Sequence, residues 1–325
     1  MANYLITGGA GFIGSHLAEK LLAGGHTVTA LDDFSSGSRQ NIAHLLGESR
    51  FHFAESPVLE CAALGEMVAS ADAVFHLAAT VGVFNIIKSP VETIGNNIDG
   101  TQAVLRAAAV NRTKVLLTST SEVYGKSVRA PFAEDEDLVL GPTSKGRWSY
   151  AASKIIDEFL ALAFWREFGV PTVVTRLFNT IGPRQTGEYG MVVPRFVQQA
   201  MKGENLKVFG DGRQSRSFTD VADVVEWLTR LITIEAAVGQ VINLGNTIEI
   251  SIAELAKRVI AITGSQSGIE FVPYSQAYEH GFEDIERRVP DITKAASLTG
   301  YRPRIGLDET LERIRQSQLA SQVAG

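Results

Sequence analysis

The chain has 325 residues, 45% of them hydrophobic and 20% charged, and its 30 basic and 36 acidic side chains leave a net charge of −6. This length suits one large α/β unit or two packed lobes, and the charge gives no electrostatic reason to expect nucleic acid or an anionic membrane as partner. No apolar run approaches the roughly 18–20 residues that span a bilayer, no signal peptide is evident ahead of the first strand, and the single cysteine, Cys61, excludes a disulfide framework or a Cys-rich zinc site, so a cytoplasmic enzyme holding no metal is expected.

In chain order, Tyr4–Thr7, Thr27–Leu31, Phe51–Ala54, Ala73–Ala78, Val115–Thr118 and Thr172–Phe178 are short, apolar and rich in β-branched or aromatic residues, and they read as strands. Between them Ile13–Leu22, Asn97–Ala109 and Tyr150–Phe168 have helical spacing. Alternation of this kind predicts a doubly wound parallel sheet of Rossmann type with helices on both faces. Asn179–Gly190 is rich in Gly, Pro and polar residues and reads as a functional loop. Beyond it Val193–Met201, Asp220–Ile234, Ile252–Ile262 and Leu307–Gln316 look helical, Lys207–Phe209 forms a short strand, and Val241–Leu244 is expected to return to the main sheet. The expected division is a dinucleotide-binding domain over 1–177, rejoined by 217–246, and a smaller α+β lobe from 178–216 and 247–325.

The segment Thr7-Gly8-Gly9-Ala10-Gly11-Phe12-Ile13-Gly14 lies between the first strand and the first helix. Gly8 permits the tight turn, Gly11 lets the backbone approach a pyrophosphate, and Gly14 lets helix and strand pack closely. The helix start then offers free N–H groups and a partial positive charge to phosphates. Asp32, followed by Asp33, ends the second strand about twenty residues on, where a carboxylate accepts both ribose hydroxyls and repels a 2′-phosphate, so NAD is expected rather than NADP. Tyr150 and Lys154 are four apart and share a helix face. An ammonium beside a phenol lowers its proton affinity, which predicts Tyr150 as the base that takes a proton from a substrate hydroxyl as hydride leaves. The run Thr118-Ser119-Thr120-Ser121-Glu122 follows the fifth strand, at the sheet edge where α/β folds bind ligands. The acidic run Glu134–Asp137 reads as a solvated loop, and His16 and His76 as packed or surface residues without metal-ligand company.

Taken together, TGGAGFIGSHL, STSEVYG, SYAASK and FNTIGPR resemble the extended short-chain dehydrogenase/reductases, in particular the NAD-dependent nucleotide-sugar epimerases and dehydratases, over nearly the whole chain. The resemblance implies that Thr120, Tyr150 and Lys154 are catalytic, with Glu122 beside them. It places Leu77, Ala78, Ala79 and Asn97 near the cofactor. It gives the nucleotide sugar, a UDP-sugar, to the C-terminal lobe, where Asn179, Val193, Phe196, Val208, Phe209, Arg216 and Arg288 match binding positions, with Ser121 of the first domain beside them. It also implies a homodimer built on the Tyr150–Phe168 helix. All these enzymes oxidise the sugar at C4 and differ in the fate of the 4-keto sugar. Dehydratases carry an aspartate where this chain has Ser121, which argues against dehydration. The Thr120-Ser121-Glu122 turn and Arg288 match UDP-glucuronate decarboxylases, whereas Arg147-Trp148-Ser149-Tyr150 and Gly182-Pro183-Arg184-Gln185 look more like a group of 4-epimerases. The sequence thus favours a UDP-sugar 4-epimerase, with decarboxylation of UDP-glucuronate as the alternative. A non-catalytic sensor or scaffold is disfavoured because Thr120, Tyr150 and Lys154 are all retained.

Overall fold

The computed structural model describes every residue except 82–88, 128, 188–190, 274, 275, 277–286 and 325, and the side chains of 321–324. Part of the expected 179–190 loop therefore lies outside the described residues. Seven strands form one sheet in the order β11-β6-β5-β4-β1-β2-β3: β1 (Asn3–Thr7), β2 (Thr27–Asp32), β3 (Phe51–Glu55), β4 (Ala73–His76), β5 (Lys114–Thr120), β6 (Thr172–Leu177) and β11 (Val241–Leu244). Every pairing in it is parallel. The strands read as continuous apolar runs because both faces are covered. In β1 and β4, Ile6 and Phe75 point to a core shared with the Phe12–Ala23 and Val221–Leu231 helices. Their neighbours Leu5 and Val74 point to the opposite core, under the Leu64–Ser70, Pro90–Asn111 and Trp148–Phe168 helices.

The winding direction reverses between β1 and β4, so a crevice opens beyond the carboxyl ends of these strands. A third core lies outside the sheet. There the Val192–Met201, Ile252–Thr263 and Leu307–Ala324 helices pack around Phe196, Val197, Leu206, Val208, Leu255 and Leu311. Beside it the short pair β13 (Ile269–Val272) with β8 (Leu206–Phe209) extends the lobe. A three-stranded sheet, β12 (Glu249–Ser251), β9 (Ser215–Ser217) and β14 (Arg287–Arg288), sits between lobe and crevice. Sequence periodicity missed this small sheet because two- and three-residue strands carry no pattern. The expected return of Val241–Leu244 to the main sheet is observed, at its edge beside β6. No helix among the described residues is long and apolar enough to cross a membrane.

Candidate active site

The crevice is a cavity of about 440 Å³. The glycine loop forms one wall. Gly8 adopts φ +75°, and a Cβ there would lie 2.8 Å from the Ala78 nitrogen; a Cβ on Gly14 would lie 2.1 Å from the Gly8 carbonyl oxygen. Only glycine permits this approach of helix, loop and β4. Gly8, Gly11, Phe12, Ile13, Gly14, Asp32, Leu77, Ala78 and Ala79 all line the cavity. A smaller cavity shares Gly8, Asp32, Ser36, Ala78 and Ala79 with it and runs on past Asp33 to Ser56, Val58 and Leu59, giving an extended dinucleotide a continuous bed. Asp32 is buried and accepts from the N–H groups of Ala10 at 2.9 Å and Phe34 at 2.8 Å. Burial raises its pKa, and those N–H groups offset only part of the rise. A β2-end carboxylate, free helix-start N–H groups and a cradle that any side chain would fill fit NAD.

Asn97 is placed differently from the expectation. It is buried behind the wall, where its Oδ1 accepts from Thr80 N at 2.8 Å and its Nδ2 donates to Ser153 Oγ at 3.1 Å. It thereby braces the chain after β4 against the Trp148–Phe168 helix and does not line either cavity. His76 is packed, as expected. Its ring nitrogens meet Thr7 Oγ1 at 2.7 Å and Thr101 Oγ1 at 3.2 Å, and burial together with Lys154 pushes its pKa down to about 3, so it is neutral. His16 faces the Pro183 carbonyl at 3.0 Å.

Thr118, Ser119, Thr120, Ser121, Glu122, Tyr150 and Lys154 meet in the same cavity, brought there by the end of β5 and the start of the Trp148–Phe168 helix. Thr120 caps the turn, accepting from Glu122 N at 3.2 Å, and its hydroxyl hydrogen-bonds to the Tyr150 phenol. Lys154 was expected to lower the proton affinity of Tyr150, yet the phenol is pushed well above its ordinary range, first by burial and then by the charges of Glu122 and Asp157. Thr120 and Arg288 act in the other direction. The Lys154 ammonium is itself paired with the buried Asp157 carboxylate at 2.7 Å.

A second buried pair stands behind. Arg176 on β6 holds Glu158 through Nε–Oε1 at 3.0 Å and Nη2–Oε2 at 2.8 Å, and Ser119 Oγ donates to Glu158 at 2.5 Å. The charges on the catalytic helix are thus locked to β5 and β6. Asp157, Glu158 and Arg176 were missed in the sequence because a charged residue in a helix or strand ordinarily faces solvent.

On the lobe side, Asn179, Val193, Phe209, Arg216 and Arg288 line the cavity. Arg216 and Arg288 are register partners across β9 and β14. Arg288 Nη1 lies 3.4 Å from Glu122 Oε1, and Nη2 donates to Asn179 Oδ1. Phe196 and Val208 are corrections: both are wholly buried in the lobe core and do not line the cavity. Helical and strand alternation turns them inward and brings their neighbours to the crevice instead. Arg195 stacks over Phe209, with its Cζ 4.4 Å from the ring centroid, and both line the cavity with Arg147, Gln185 and Gln214. The acidic run is likewise only half solvated. Asp135 and Asp137 are exposed, but Glu134 accepts from Asn243 N at 2.9 Å and Glu136 accepts from Ser127 Oγ at 3.4 Å.

With this geometry in place, residues 5–314 match the family model described as GDP-mannose 4,6 dehydratase. The chain belongs to that family. Its members include the NAD-dependent nucleotide-sugar epimerases and dehydratases of the extended short-chain dehydrogenase/reductase type, so this family member is an NAD-dependent enzyme of nucleotide-sugar chemistry. It is 43% identical over 317 residues to a UDP-N-acetyl-alpha-D-glucosaminuronate decarboxylase of Bacillus cytotoxicus, a match covering 96% of this chain and 97% of the relative. It is 37% identical to UDP-glucuronic acid decarboxylase 1 of Danio rerio, covering 96% of this chain and 71% of that one. Among solved structures it superposes with a TM-score of 0.88 and 30% identity on the UDP-glucuronic acid 4-epimerase of Bacillus cereus, determined with UDP-glucuronic acid and NAD, covering 98% of this chain and 99% of that one. The decarboxylase alternative therefore fits these relatives better than the epimerase reading that the sequence put first.

Proposed function

We propose that this family member is a UDP-hexuronate decarboxylase. The reading is carried by the Thr120-Ser121-Glu122 turn with Arg288 set against it, next to Tyr150 in one cavity. Tyr150 accepts the proton of the sugar 4-hydroxyl, and Thr120 holds the same oxygen by hydrogen bonding. Bound NAD supplies a reversible hydride acceptor for C4. Asp32 and the Gly8–Gly14 loop would hold that cofactor's ribose and phosphates, and Lys154, which lines the same cavity, would hold it from the other side of the crevice wall. When C5 carries a carboxylate, the C4 ketone makes it a β-keto acid: the C5–C6 bond breaks, carbon dioxide leaves, the electron pair passes into the C4 enolate, and a proton then adds at C5. The Arg288 guanidinium suits a carboxylate as partner, and Glu122 and Asn179 keep the fork aimed into the cavity. Ser121 stands where dehydration would need an acid, and it is buried.

The lobe formed by 178–216 and 247–325 holds the uridine diphosphate in this reading, with Arg216 on phosphate and the Arg195–Phe209 stack beside the base. A second reading, 4-epimerisation of the same hexuronate, is favoured by the likeness to the Bacillus cereus epimerase. Incubation with NAD and either UDP-glucuronate or UDP-N-acetylglucosaminuronate, followed by mass spectrometry and proton NMR, separates the two. Loss of carbon dioxide supports decarboxylation. Unchanged mass with an inverted C4 signal replaces it by epimerisation. Homodimerisation through the Trp148–Phe168 helix, which exposes Ile156, Phe159 and Phe168, belongs to the same proposal. Phe159→Glu should then give a monomer by light scattering, and a protein already monomeric before substitution refutes it.

A further inference from the structure

Asp157 is wholly buried one helical turn beyond Lys154 and two beyond the reacting tyrosine, at a position where a carboxylate is costly to keep. Its partner is Lys154, itself only 2% exposed, at 2.7 Å. The pair is enclosed by three elements. Thr101, from the Pro90–Asn111 helix, faces Asp157 and favours its charged form. His76 of β4 faces Lys154 and is neutral. Glu158, next along the helix, is matched by Arg176. Tyr150 in turn faces Asp157 on its own helix, Glu122 from the turn after β5 and Arg288 from β14.

We propose that Asp157 is a positioning residue for the oxidation step: it ties down Lys154 and offsets part of its charge, so that the ammonium is held in place while its pull on the Tyr150 proton is tempered. This rests on the reading of Tyr150 as the proton acceptor and is independent of which UDP-hexuronate reaction takes place. Before ligands bind, the phenol keeps its proton, because burial first, and then the Glu122 and Asp157 charges, disfavour a phenolate. Removing the Asp157 charge takes away a repulsion and leaves the cation unmatched. Both changes favour the phenolate.

The test is the pH profile of turnover with saturating NAD and whichever of the two UDP-hexuronates is consumed, for wild type, Asp157→Asn and Tyr150→Phe. The active form of Tyr150 is the phenolate, so activity rises with pH through its apparent pKa. The acid limb of Asp157→Asn should move down by about one pH unit, roughly tenfold more activity on that limb. A superposable profile or an upward shift overturns the proposal. Full activity in Tyr150→Phe instead overturns the role of Tyr150, which keeps the two failures apart. Should Asp157→Asn not fold, as judged by its circular-dichroism melt, Asp157→Ser carries the same expectation with a smaller side chain. If neither UDP-hexuronate is consumed, tyrosinate absorbance titrations of the NAD-loaded protein, each taken as the difference from its Tyr150→Phe counterpart, read Tyr150 directly. The Asp157 variant should then titrate at lower pH than wild type, and an equal or higher midpoint refutes the inference.

Discussion

Replacing Gly14 with alanine tests the cofactor cradle most sharply. A Cβ at Gly14 would lie 2.1 Å from the Gly8 carbonyl oxygen and 2.9 Å from both the Gly8 carbonyl carbon and the Gly9 Cα. All three are backbone atoms, and Gly8 has little room to yield. Its N–H donates to the Leu31 carbonyl at 2.8 Å, and its outer side abuts the Ala78 nitrogen. Relief therefore requires the helix start and the loop to part by about 1 Å, which stretches a hydrogen bond of roughly 2.9 Å beyond its useful range. If the helix start gives the pyrophosphate two charge-assisted N–H bonds, their loss costs about 1.5–3 kcal/mol each. Summed, about 3–6 kcal/mol corresponds to roughly 10²–10⁴-fold weaker NAD binding. Isothermal titration of NAD-stripped protein measures it, with Gly47→Ala as control because nothing lies within 4 Å of a Cβ there. A Gly14→Ala protein that binds NAD within about threefold of wild type and melts normally would refute the reasoning, since that spread is under about 1 kcal/mol.

The remaining predictions concern the buried polar groups. Tyr150→Phe should melt like wild type and turn over roughly 10²–10⁴-fold more slowly, the range for loss of a general base; near-normal turnover contradicts its role. Glu158→Gln strands the Arg176 guanidinium, 4% exposed, without its counter-charge, and should cost about 3–5 kcal/mol in urea unfolding; a loss below about 1 kcal/mol would mean that water or another group replaces the carboxylate. His76 is held neutral, with a folded pKa of about 3 against 6.5 unfolded, so only the unfolded chain takes up its proton between those values. Its contribution to stability is complete above about pH 6.5 and declines as pH falls towards 3. Between pH 7.5 and 5 the wild type should therefore lose about 2 kcal/mol that a folded His76→Asn variant keeps, and equal losses in both would show that His76 is charged in the native state.

Local pattern alone determined much of this protein. Apolar runs of strand length alternating with amphipathic helices specify a parallel sheet covered on both faces. The spacing of Gly8, Gly11 and Gly14 between strand and helix, with Asp32 at the next strand end, specifies a dinucleotide site. These signals are legible because each depends on neighbours within one βαβ unit. Tyr150 and Lys154 share a helix face for the same local reason. What tertiary structure decided is which charges face which. Lys154 pairs with Asp157, Glu158 with Arg176 across a strand, and Arg288 with Glu122 from 166 positions away. Phe196 and Val208 went to the lobe core, while Arg195 and Phe209 beside them came to the crevice. Burial of a charge or a ring is settled by partners from distant segments, and the free energy of that choice is a sum over contacts that no single stretch of chain contains.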